Sequence, residues 1–324
     1  MATAEQAKLQ YEAGQNSVAM SALTDSGDAT TFTSAATLWS SRSGYAPVVR
    51  PNGLLTGGLV TKTEVDNEVS VAALTCNLAG VVTAVSTGTL TITRPATAVS
   101  KINSVTINSS GSLAMVAGTD GTTTDFSEIR AVAGGPPLIP VGSIELAQVR
   151  VINDTDAPLT DAEIFQVVGL HQERADFPLY DVNYGTGSVT FLAANPLIHT
   201  GTLPKGVYAS YASPIFADVA LASDFVPPET SHSVTSTQVY GTTIGSTSST
   251  LNQGTFTAYL QNGVGDPLVS LKNAVLWFRF YPDRYAAQYI LSQGKLGIAR
   301  TFPAGDQIQA TCTISASAAA AEVA

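Results

Sequence analysis

From Thr230 to Gly265 the chain runs for 36 residues without one Asp, Glu, Lys or Arg. A second stretch, Val69 to Thr119, carries only Arg94 and Lys101. Few architectures tolerate so little charge. A membrane helix needs about 18 or more consecutive apolar residues, and no window supplies them. Disordered chains are rich in charge and poor in β-branched residues, which this chain is not. Across all 324 residues only 12% are charged, about half the usual share, while 44% are hydrophobic and mean hydropathy is +0.19. The apolar content is Ala and Val diluted by Thr, Ser and Gly: 44 Ala and 39 Thr stand against 6 Lys. These numbers point to a mainly β chain with a neutral polar surface.

The length predicts two domains, with one as the alternative. A net charge of −10 leaves no basic stripe to displace counterions from nucleic acid. The opening MATAEQAKLQYEAGQ lacks a basic region followed by an apolar one, so it does not read as a secretion signal. Cys76 and Cys312 stand far apart, with no CxxC, and read as buried free thiols.

Aromatic residues divide the chain. Residues 1–45 hold Tyr11, Phe32, Trp39 and Tyr45, residues 46–164 hold only Phe126, and the other nineteen follow. The last section therefore reads as the main domain, and the middle one must build its core from Val, Ile, Leu and Ala. The resulting division is 1–55, 56–141 and 142–324. In the first segment Thr3 to Ala13 predicts a short helix, with Thr3 and Gln6 as a capping box. Ser21 to Tyr45, rich in Ser, Thr and Gly, reads as an extended arm or long loop. In the middle segment Glu68–Val71, Thr89–Arg94 and Ile102–Asn108 alternate with period two, and Ser112–Val116 follows a Ser110-Gly111 turn. Gly134-Gly135-Pro136-Pro137 reads as a linker.

In the last segment strands are predicted over Ser143–Ile152, Gly206–Tyr211 and Gly254–Leu260. Tyr180–Phe191 reads as a hairpin turning on glycine, and Thr160 with Glu163 as a capping box. Asp266 caps a short helix, Pro267–Lys272, with Pro267 in its first position. The strand Val275–Phe280 comes next. Gly294–Thr301 and Gln307–Ser317 pair as a hairpin, after which SASAAAAEVA frays.

Residues able to run a reaction are sparse. His171, His199 and His232 fit no zinc spacing, and no G-x-S-x-G elbow occurs. Gly185-Thr186-Gly187 reads as a hairpin turn and not as a dinucleotide loop. Gly294-Lys295 lacks the rest of a phosphate loop. Asn153, Asp154, Asp156 and Asp161 suggest calcium, but their spacing is not that of an EF-hand, and a solvated loop is the plainer reading. No catalytic, cofactor or metal residue is assigned, and the chain reads as a non-enzyme. The two sequons, at Asn108 and Asn153, carry no meaning without a secretion signal.

The positive signal is in the strands. Their polar faces show Thr, Ser, Asn and Gln, where monomers guard sheet edges with charge, above all Lys. Strands without such guards imply cover by copies of the same chain, as in a coat, tube or fibre.

The segments GTFTAYLQ (from Gly254), DPLVSLK (from Asp266), VLWFRFY (from Val275) and GKLGIARTF with PAGDQIQATCTISAS resemble the end of the major tail (tail tube) protein of long-tailed, siphovirus-like bacteriophages. The resemblance covers about residues 165–324. GLLTGGLVT followed by VSVAALTCNLAGVVTAV is similar to small β modules of phage structural proteins. The resemblance implies a tail-tube-like β-sandwich with a short helix plus a small added all-β domain, which would sit outside the tube. It implies hexameric rings joined through a continuous inner barrel and stacked head to tail, so that closure removes the sheet edges. The partners implied are further copies of the chain, other tail proteins, and phage DNA passing through the lumen without specific binding, with no membrane and no cofactor. The place implied is the virion tail, assembled in the host bacterial cytoplasm.

Residues proposed from sequence as subunit contacts are Phe32, Trp39, Tyr45, Phe256, Tyr259, Phe278, Arg279, Asp283 and Arg284. Trp277, Phe278 and Phe280 read first as core, with Trp277 as its anchor; because Trp277 and Phe278 fall on opposite faces of their strand, the alternative is that one of them meets a neighbouring subunit. The other reading from a different class is a carbohydrate-binding or adhesive β module, with Tyr281, Tyr285 and Tyr289 stacking sugars at helical spacing. A depolymerase is disfavoured by the thin acid and base inventory.

Overall fold

The computed structural model describes residues 6–167, 179–261 and 265–324. The protein is mainly β, with 53% of residues in strands and 3% in helix. It forms two compact units that are not sequential. One is built from Met1–Ser17, Leu38–Ala46 and Ala212–Ala324, the other from Val18–Thr37 and Pro47–Tyr211. The divisions placed by sequence at 55 and 141 do not coincide with these boundaries.

The first unit is organised by one antiparallel sheet. From its edge the order is Ala222–Val226, Gly254–Tyr259, Gln309–Ser315, Tyr289–Thr301, Val275–Tyr281, Lys8–Ala22 and Val207–Asp218, whose residues Val207–Ser210 pair in turn with Val48–Pro51 at the other edge. Lys8–Ala22 and Val207–Asp218 run on into the other unit. Period-two alternation sets the core. Phe256, Ala258, Cys312, Ile314, Ile298, Leu296, Leu276 and Phe278 point to one face, with Leu9 and Tyr11 beside them. Register brings like to like: Phe256 lies opposite Cys312, and Cys312 opposite Ile298. Each fully buried large side chain stabilises the unit by about 1.5–3 kcal/mol. The helix Pro267–Ser270 forms as its sequence predicts. Asp266 accepts a hydrogen bond from the Leu268 N–H at 3.0 Å, Pro267 occupies the first turn, and Leu268 and Leu271 enter the core.

Two expectations are corrected here. The helix predicted from Thr3 is, over the described residues, the strand Lys8–Ala22, which pairs Leu9 with Phe280 and Tyr11 with Phe278. Leu9 and Tyr11 are two residues apart, a spacing that shares a face in a strand but not in a helix, and burying both outweighs the helix propensity of Ala, Gln and Glu. The C-terminus also does not fray: Ala321–Val323 pairs with Tyr289–Leu291.

The second unit has the aromatic-free core that its composition demands. Leu54, Val60, Val69, Val71, Leu74, Cys76, Ile92, Val105, Ile107, Ile144, Leu146 and Val149 belong to it. They come from three small sheets. One runs Leu113–Ala117, Lys101–Ile107, Ile144–Val151, Ile164–Gln166. Another runs Gly53–Gly57, Leu74–Leu78, Val81–Val85. The third runs Val60–Lys62, Glu68–Val71, Gly88–Thr91. The strand at Ile144, expected to open the last domain, thus closes this core. A separate aromatic cluster joins Phe32, Phe191 and Tyr180, with ring centroids 5.7 and 5.8 Å apart, because Thr31–Thr33 pairs with Ser188–Phe191. Ser21–Tyr45 is therefore no extended arm: Phe32 and Trp39 are both buried. Gly134-Gly135-Pro136-Pro137 is buried too and links no domains. A Cβ on Gly135 would stand 2.2 Å from the Ile129 carbonyl oxygen, so glycine is what allows that close approach.

Candidate assembly surface

The nine residues proposed as subunit contacts separate by burial. Phe256 and Phe278 lie in the first unit's core with centroids 6.0 Å apart, and Phe32 packs on Phe191. Trp39 has no exposed surface, and Trp277 is buried as well as Phe278. The Trp277 indole N–H donates to the Trp39 carbonyl at 2.8 Å. The same strap is held by Glu12, whose carboxylate accepts from the Ser40 hydroxyl, from Gln15 Nε2 at 2.8 Å and from the Trp277 backbone N–H at 3.1 Å. Gln293 Nε2 adds a bond to Ser41 Oγ at 2.6 Å. Phe32, Trp39, Phe256 and Phe278 are thus spent inside the chain and offer a partner no surface.

The charged cluster is also engaged within the chain. The Arg279 guanidinium lies 3.8 Å from the Phe216 ring centre and 5.1 Å from that of Tyr289. Arg284 donates to the backbone carbonyls of Gln6 and Ala7, at 3.3 and 3.0 Å. Asp283 accepts from the Tyr285 N–H at 3.0 Å. Tyr45 and Tyr259 keep partial exposure. The tyrosines considered for sugar stacking are not on a helix. Tyr281 and Tyr289 lean on each other at 5.3 Å across a strand pair, and Tyr285 stands apart and exposed.

The loop once considered for calcium has a cation of its own. Arg94 donates to the side-chain oxygens of Asn153 and Asn67, and to the Ala157 carbonyl at 2.9 Å. Among the described residues no group of three or more His, Cys, Asp or Glu is placed to hold a metal ion. His199 is buried with Nδ1 3.1 Å from the Pro140 carbonyl oxygen, so the neutral ring carries its proton there, while Nε2 has no hydrogen-bond partner among the described residues. Burial, with the charge of Arg130 behind it, holds its pKa below the usual imidazole value, and the Pro140 bond offsets part of this. His171 lies outside the described residues. The Cys312 thiol is pushed up to about 12 by burial and by Asp266.

The feature most open to a partner is one the sequence only hinted at. Thr230–Val239 and Thr242–Leu251 pair over ten positions, from Thr230 opposite Leu251 to Val239 opposite Thr242. Tyr240-Gly241 makes the turn, with Gly241 at φ +83°. This hairpin prolongs the pair Ala222–Val226 and Gly254–Tyr259 past Pro227-Pro228, with the Asn252 N–H bonded to the Glu229 carbonyl at 2.9 Å. The prolongation, here called the arm, is about 33 Å long at the usual rise per residue. From Thr230 to Thr250 every residue whose side chain is described is exposed, on both faces. Neither of its outer edges pairs with a described strand. Tyr240-Gly241 between two alternating Thr/Ser runs was the available signal, masked because both faces of the ribbon are polar. Comparison with protein-family models, curated proteins and solved structures returns no match, so the fold and its open edges are what the functional reading rests on.

Proposed function

We propose that the chain is a self-assembling structural subunit, and specifically the subunit of a phage tail tube built of stacked rings. The observation that carries this reading is the arm. A two-stranded ribbon alone in water is marginally stable. This one exposes two rows of unpaired backbone N–H and C=O groups, with no charge to keep strands of other copies away. Such an element gains its stability from cover supplied by an assembly. Ring closure and stacking provide that cover, and a chain of net charge −10 gives phosphate nothing to grip as DNA passes. The alternation and helix cap at 254–301, on which the resemblance to tail tube proteins rests, support the narrower assignment.

The test is assembly itself. Concentrated protein should form rings or hollow tubes under negative stain. A variant with residues 231–250 replaced by a two-residue turn should keep its circular dichroism and its unfolding transition, yet remain monomeric in light scattering. A wild-type chain that stays monomeric at millimolar concentration would refute the reading, as would an armless variant that assembles like wild type.

A further inference from the structure

Several sheets of this chain end on a strand that carries a charge: Lys62 on Val60–Lys62, Asp181 on Tyr180–Asn183, and Asp224 on Ala222–Val226. Charges of this kind deter pairing with further strands. Gly53–Gly57, Gly88–Thr91, Leu113–Ala117, Ile164–Gln166 and Val81–Val85 end theirs without one, and of these five Val81–Val85 is the strand that presents two exposed valines. Its free edge pairs with no described strand. Val81 and Val82 point to opposite faces and are 61% and 53% exposed. An open edge flanked by exposed valines is the form that recruits another strand.

Charge says which strand. The unit that bears the arm holds 7 basic and 9 acidic residues, while the other holds 8 and 16. Copies therefore repel mainly through the second unit. Within that unit, however, the acids avoid Val69 to Thr119 altogether. A basic group is held beside the start of the strand: Arg50 donates to the Gly80 carbonyl at 2.9 Å. Both charge-poor stretches of the sequence thus present unpaired, unguarded strand edges. They are surfaces on which two acidic copies meet without like charges facing each other.

We infer that Val81–Val85 is the acceptor for the arm of a second copy, which adds to its free edge as a further strand. This rests on the self-assembly reading and names its partner surface. The contact joins different surfaces on the two copies, so it propagates from copy to copy wherever two copies do not exchange arms reciprocally. The pairing spans about five residues, roughly 17 Å, half the length of the arm.

Two measurements test it. Val82→Lys places a charge on an already exposed position and leaves the fold intact, and it should raise the concentration needed for assembly at least tenfold. Thr237→Cys and Val82→Cys proteins, mixed and oxidised, should give a disulfide-linked pair of chains, since Cys76 and Cys312 are buried. Neither variant alone should cross-link. If wild type assembles while V82K does so at the same concentration and the mixture does not cross-link, the acceptor is refuted and self-assembly stands. Cross-linking of Val82→Cys with itself, or of Thr237→Cys with itself, refutes the arm-to-strand pairing. A wild-type chain that never assembles refutes both readings.

Discussion

Glu12 shows how single side chains hold this protein together. It is buried, among the described residues without a basic partner, and its carboxylate instead gathers the Ser40 hydroxyl, the Gln15 amide and the Trp277 N–H. Each donor left unsatisfied in a buried place costs about 1–3 kcal/mol. Glu12→Ala should therefore lower the unfolding free energy by about 3 kcal/mol, read from urea midpoints at constant slope. A change below about 0.5 kcal/mol would mean that the strap Leu38–Ser41 is held by Trp277 and Gln293 alone. His199 supplies the pH dependence. Its pKa is lowered in the folded state, so the unfolded chain binds more protons. Stability is complete above the unfolded value of about 6.5 and falls as pH drops below it towards the folded pKa. The thermal midpoint should accordingly decline between pH 7.5 and 5.5, and His199→Gln should remove part of that decline. Equal declines in both proteins would clear His199 of the effect.

At the scale of elements, legibility followed the number of faces a segment buries. Strands with one buried face were readable from alternation alone. Gly254–Tyr259 is such a strand, and the hairpin at Tyr180–Phe191 and the helix cap at Asp266 likewise stand where the sequence places them. Lys8–Ala22 was not readable, because the Ala, Gln and Glu around Leu9 and Tyr11 favour a helix and the partner strand lies some 270 residues away. Polar cover was equally hidden. Lys101–Ile107 is buried on both faces, because Ser104 donates to Glu145 and Arg130 pairs with that carboxylate. Alternation alone gives such a strand one wet face. The arm failed in the opposite sense. With both faces exposed it has no apolar period to detect, and the missing charge was its one trace. Six of the nine candidate contacts are aromatic, and aromatic side chains are what a core claims first.

At the scale of the molecule, the order in which the chain is made differs from the order in which its units can close. Everything the second unit needs lies between Val18 and Tyr211. The first unit needs Lys8–Tyr11 to find Phe278–Tyr281, and the strand Gln309–Ser315 beyond them. Contacts of such separation form late and slowly. A nascent chain halted near residue 250 should hold the second unit in a protease-resistant state while Met1–Ser17 and the arm are digested. Resistance of both at that length would refute this order. The base on which the arm is mounted, Ala222–Val226 with Gly254–Tyr259, gains its neighbour Gln309–Ser315 only near the end of synthesis. On the self-assembly proposed above, the donor edge is thus withheld until the chain is almost complete, whereas the acceptor Val81–Val85 is in place once the second unit has closed, so that translation itself sets the order in which a subunit can receive and then give a strand.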